Sequence, residues 1–150
     1  MKKIMLGLFL ILGAMSFAAP KFVDMTKVKN AGYVIKNERE DILTMATSDD
    51  DSAIIISFST ANISSKEISD LLKSNALRDS GNFIATLDNN RAYINEFEAQ
   101  GFYSYMIVPK KEKVKNQHTY ATYVSSKKLS KNDLSKITNA ILDEAESYIK

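Results

Sequence analysis

The chain has no cysteine and only one histidine among its 150 residues. The first absence excludes a disulfide framework, a thiol nucleophile and any Cys-ligated metal. The second excludes a metal site built from paired histidines. No G-x-S-x-G occurs, so there is no nucleophile elbow of the α/β-hydrolase kind. Neither a metal nor any other cofactor is expected. A charge excess is also missing. The formal +2 comes from 20 basic and 18 acidic residues, and Lys2 and Lys3 supply the difference. Without residues 1–18 the chain is formally neutral, which argues against nucleic-acid binding, since that needs a net basic surface.

One long apolar run is present, and it stands at the front. Met1-Lys2-Lys3 is followed by the uncharged stretch Ile4 to Met15 and then by Ser16-Phe17-Ala18. A cationic start, an apolar centre and small residues before a cleavage point make a secretory signal peptide. A run of this length spans about 18 Å as a helix, short of the roughly 30 Å hydrocarbon core. The sequence therefore predicts export to the periplasm or the outside, with cleavage after Ala18. No second such run occurs, so the mature chain should carry no transmembrane segment. Residues 19–30 read as a weakly patterned lead-in with a helical turn, and residues 31–150 as one domain.

The rest alternates between strand and helix signals. Strand-like stretches begin at Tyr33, Ile42, Ala53, Phe83, Arg91, Phe102 and Thr119. Ile54-Ile55-Ile56 is apolar on both faces, as in an interior strand. Ser64 and Glu67 form a capping box that starts a helix, with Ile68, Leu71 and Leu72 as its apolar stripe. Ser130 and Asp133 start a second helix whose inner face is Leu134, Ile137, Ile141, Ala145 and Tyr148. Short links between successive strands imply antiparallel pairing. The expected fold is α+β: a single, mainly antiparallel sheet of six to seven strands with two amphipathic helices packed on it.

Several residue groups have the composition of a site. His118 is the one imidazole available for general-base chemistry, with Ser125, Ser126, Asp88 or Glu96 as companions in some register; its place at the end of a polar loop suits a solvated side chain instead. Asp49-Asp50-Asp51 supplies three carboxylates but not the alternate spacing of a calcium loop, and reads as a solvated turn. Asn62-Ile63-Ser64 is a formal glycosylation sequon that overlaps the helix cap. Lys110, Lys111 and Lys113 crowd one loop, suited to an anionic polymer or an acidic protein. Tyr93, Tyr103, Tyr105 and Tyr123 crowd the late strands. In Phe102 to Val108, the face bearing Tyr103 and Tyr105 is amphipathic, a surface type enriched at interfaces.

These features predict a non-catalytic module that binds a protein or envelope component. Tyr103, Tyr105, Tyr93 and Tyr123 are the expected contacts, with Lys110, Lys111 and Lys113 steering from the edge. Three alternatives stand beside this. One is a carrier with an apolar pocket between sheet and helices. Another is a hydrolase built on His118. The third is a structural subunit, which would show as concentration-dependent assembly.

Overall fold

A computed structural model describes residues 19–79 and 81–150; the expected signal segment, residues 1–18, lies outside them. The elements run α1 (Met25–Asn30), β1 (Val34–Arg39), β2 (Ile42–Ser48), β3 (Ser52–Thr60), α2 (Ser65–Arg78), β4 (Asn82–Asp88), β5 (Ala92–Ala99), β6 (Phe102–Pro109), β7 (Gln117–Ser125) and α3 (Lys131–Ser147). The seven strands form one antiparallel sheet in the order β1-β2-β3-β7-β6-β5-β4. The fold is α+β, as the strand and helix signals predict.

Local chemistry sets most boundaries. The Ser64 hydroxyl accepts from Glu67 N–H, and the Glu67 carboxylate accepts in return from Ser64 N–H at 2.7 Å. Ser130 accepts from Asp133 N–H to open α3. Between β5 and β6, Gln100 and Gly101 both take positive φ (53° and 83°), the two-residue hairpin geometry that follows strand twist.

Alternation along the strands divides the sheet into two faces. One carries Leu43, Met45, Ile56, Phe58, Ala121, Ile107 and Ile94. It is closed by Leu134, Ile141, Leu142 and Ala145 of α3 and by Val28 of α1, and holds the main core. Burial of these side chains gives α3 the tertiary support that its length alone does not. On the other face α2 packs over β5 and β6, fixed by a hydrogen bond of 3.0 Å from Asn95 to the Ser69 hydroxyl.

Two details differ from the expected pattern. Leu71 was expected in the apolar stripe of α2 but is 54% exposed. The sheet-facing side of α2 is instead Ser65, Ile68 and Ser69, which share one helical face by their spacing of three and four, and Ser69 accepts from Asn95 there. The lead-in is also far more integrated than its weak patterning suggests. Phe22, Val23 and Val28 are buried in the core, Val23 bridges to Ile149, and Asp24 N–H donates to the Tyr148 carbonyl at 2.7 Å. Short apolar residues docked by backbone pairing leave no periodic signal.

Candidate functional site

The expected tyrosine set is split by the sheet. Glu96, Tyr105 and Tyr123 lie directly opposite one another on β5, β6 and β7. Tyr103, Tyr105 and Tyr123 therefore share the face that α3 covers. Tyr105 is fully buried and stacks on Tyr123 with ring centroids 6.4 Å apart. Its oxygen accepts from Leu129 N–H at 2.8 Å, just before the α3 cap. Burial, reinforced by the neighbouring Glu96 carboxylate, pushes the Tyr105 hydroxyl up. The expectation that Tyr105 lies on an open face is thus corrected: it is a packing residue. Tyr103 and Tyr123 are half-buried against the same core.

Tyr93 lies on the opposite face, between the ammonium groups of Lys66 and Lys110 at 5.9 and 5.6 Å from its ring. The lysine loop is also displaced from the Tyr103–Tyr105 pair. Lys110 follows the far end of β6, about 17 Å along the strand from Tyr105 at 3.3–3.4 Å per residue. Lys110 pairs with Asp88 at 3.5 Å and Lys113 with Glu146 at 3.8 Å. Lys111 and Lys113 line a cleft of about 30 Å³, beside His118.

His118 is only 2% exposed, not solvated in a loop. It lies on β7 opposite Ser59, on the same face as Tyr120 and Thr122, and Ala61 and Glu112 of the adjoining loops close over it. Its Nε2 meets the Ala61 carbonyl at 3.0 Å, and Nδ1 faces a Glu112 oxygen at 3.5 Å. A ring nitrogen donating to a carbonyl is not free to take a proton from a hydroxyl. Ser125 lies at the opposite end of β7, so the serine companion is not assembled. The three adjacent aspartates behave as a turn: the Asp49 carboxylate accepts from Asp51 and Ser52 N–H, and those bonds hold it below the usual range. Among the described residues no three His, Asp or Glu side chains group to hold a metal ion. Nor is any helix there long and apolar enough to cross a membrane.

A groove of about 590 Å³ lies at the β1–β2 end of the sheet, against Phe22, Thr60 and Gln117. Lys21, Arg39, Glu40 and Asp41 also line it. Its size suits a small ligand, but its charges and position differ from an apolar pocket between sheet and helices.

The most distinctive surface is one the sequence reading did not single out. On the α2 side of the sheet, among the described residues, the helix makes its main contacts with β5 and β6, and β7, β3 and β2 lie beyond them in the sheet. Cross-strand rows run over this area. Val34, Ala46, Ile55, Thr122 and Met106 form one, ending at Asn95 beneath α2. Asn37, Thr44, Ser57 and Tyr120 form the next. Ser48, Ala53, Val124 and Ser104 form a third. These rows carry no Asp, Glu, Lys or Arg, in a chain that is 25% charged.

Ile55, Tyr120, Thr122, Val124 and Met106 are half-buried by their sheet neighbours, and Val34 is exposed at the edge. Thr44 and Ser57 hydroxyls bond at 3.0 Å. Burial pushes the Tyr120 hydroxyl up, and contacts from Ser57 and Ser59 pull it partly back. Leu71, 54% exposed, lies on the flank of α2 opposite Lys66 and Lys73, among Glu67, Asn75 and Arg78. The available signal was the lack of charge at every position of β3, β6 and β7. That absence extends to both faces, whereas a solvated face ordinarily alternates with polar and charged residues. No protein-family model matches the chain, and no curated protein or solved structure matches it at significance.

Proposed function

We propose that the chain is an exported, non-catalytic binding module that docks a protein partner on the uncharged face of β2, β3 and β7. One observation carries this reading: a wide sheet area free of charged residues. Interface centres are depleted of charge and enriched in Tyr and Met; these rows lack charge and carry Tyr120 and Met106 among smaller side chains. A surface of half-buried Thr, Ser, Ile and Val loses little hydration when covered, and its stiff side chains lose little rotamer freedom. Tyr120, tethered by neighbouring hydroxyls, has the character of an anchor.

Thr122→Lys tests the reading, because it places an ammonium at the centre of the area while its stem lies along the sheet. Proteins cross-linked in the native host to the wild-type chain are identified by mass spectrometry, and the leading one is titrated against both forms. The expected result is a loss of at least about tenfold in affinity with an unchanged melting curve, near the threshold of an interface hot spot. Equal affinity of the folded variant removes the assignment. The mature mass tests export: a start at Ala19 supports it, and a start at Met1 overturns it.

A further inference from the structure

The two edges of the sheet are built differently. On β1, the sequence Val34–Arg39 places Lys36, Glu38 and Arg39 along the edge and carries a bulge at Lys36. Charge and a bulge are the usual guards against strand addition. On β4, Phe83 to Leu87 is uncharged over five consecutive positions, and its only guard is a bulge at Ile84. An open edge presents unpaired N–H and C=O groups, and an uncharged one invites a further strand.

Exposed apolar side chains gather at this edge. Phe83 and Ile84 are 37% and 38% exposed. Leu77 is 49% exposed and follows Lys73 by four residues, which places both on one flank of α2. Lys73 lies 3.8 Å above the Phe83 ring, so that flank looks toward β4. Asp88, at the other end of the strand, pairs with Tyr93 and so lies on the same sheet face as Phe83. Its side chain is 96% exposed.

We propose that β4 pairs antiparallel with β4 of a second copy of this chain, about a two-fold axis near Ala85, so that the sheet continues from one copy into the next. The charges select a second copy as occupant. Antiparallel self-pairing brings Asp88 of each copy to the Asn82 end of the other, where Lys73 stands on the same face. Each copy thus supplies one carboxylate and one ammonium to complementary corners, an isologous arrangement; Asp88, 3.5 Å from Lys110 of its own chain, is then shared between that ammonium and Lys73 of the second copy. The strand of seven residues gives a seam of about 24 Å. The two α2 helices then stand on the same face, with Leu77 of each turned toward the seam. The uncharged face of β2, β3 and β7 is left open at a distance, so both surfaces work at once.

Sedimentation equilibrium on the mature chain, up to about 1 mM, is the test. The expected result is a reversible monomer–dimer equilibrium that Ile84→Lys shifts to monomer by at least about tenfold with an unchanged melting curve, since Ile84 is an exposed bulge residue. The charge pair offers a second arm that leaves the strand intact. Asp88→Lys and Lys73→Glu should each weaken the dimer, and combining them should restore it. A chain monomeric over the whole range overturns the proposal. So does a dimer that the folded Ile84→Lys variant keeps, or a charge swap that fails to restore pairing. A dimer lost in Thr122→Lys but kept in Ile84→Lys places the contact on the other surface, and also overturns it.

Discussion

Replacing Tyr105 by phenylalanine removes one oxygen from the centre of the core and separates packing from recognition. The ring stays, with its stacking on Tyr123. What disappears is the acceptor for Leu129 N–H at 2.8 Å. A hydrogen bond contributes about 1 kcal/mol net, and leaving a buried donor unpaired costs roughly 1–3 kcal/mol. Because Leu129 N–H is only partly buried, the cost of Tyr105→Phe is about 2 kcal/mol. In a domain of this size that lowers the melting temperature by about 6 °C. Tyr105→Ala removes the buried ring as well and should cost about 3–5 kcal/mol. Denaturant and thermal unfolding followed by circular dichroism measure both. Partner affinity at subsaturating concentration should be unchanged for Tyr105→Phe while the protein is folded. A loss of affinity without a loss of stability would refute the assignment of Tyr105 to the core.

Other perturbations test the remaining polar groups. The hydroxyls of Tyr33 and Tyr148 both donate to the same oxygen of Glu144, at 3.0 and 2.8 Å. Burial and then the Glu144 carboxylate push Tyr148 up to about 12, and Tyr33 is raised by the same causes. Unfolded tyrosine ionises near pH 10, so the unfolded chain loses these protons first. Stability is fully present below pH 10 and falls as the pH rises toward 12; Tyr148→Phe should flatten that slope in urea titrations run at successive pH values. The Glu96 carboxylate is buried, and its Oε1 has no hydrogen-bond partner, with Lys128 Nζ at 3.6 Å as its cation. Lys128→Ala should therefore cost about 1–2 kcal/mol by leaving the buried carboxylate without its cation, and Glu96→Gln less, because it removes the buried charge and leaves only the half-exposed ammonium of Lys128. A Glu96→Gln protein less stable than Lys128→Ala, by equilibrium unfolding, contradicts this.

Much of the fold was legible because its signals are local. Both long helices begin at the predicted caps, Ser64 and Ser130, and the strands lie within a few residues of their expected starts. Those signals act over neighbours in sequence, as capping, turn geometry and alternation do. The site was less legible because it depends on register. Tyr103 and Tyr105 occupy alternate positions of β6, and composition marked their face as the more polar one. Only the pairing Tyr105↔Tyr123 and the docking of α3 decide that this face is closed. The same pairing turns Tyr120 and Thr122 to the opposite face, where they are half-buried. His118 misled for a similar reason: a polar sequence context suggested solvent, but β7 begins two residues earlier than expected and the residues on either side of the strand, Ala61 and Glu112, close over the ring.

The strand order also has a kinetic side. Strands β1 to β3 form one meander of neighbours in sequence, and β4 to β7 form another. The β3–β7 ladder joins them, pairing Thr60 with Gln117 and Ser52 with Ser125. Each meander can zip from its own turns on the microsecond scale, but the seam must close a loop containing α2 and three strands. Joining the halves is therefore the step expected to be slow in refolding kinetics. Until it happens, the inner strands β3 and β7 are themselves uncharged open edges. An emerging chain is most exposed to misassembly in that interval, and a holdase that shields β3 until β7 arrives would protect it.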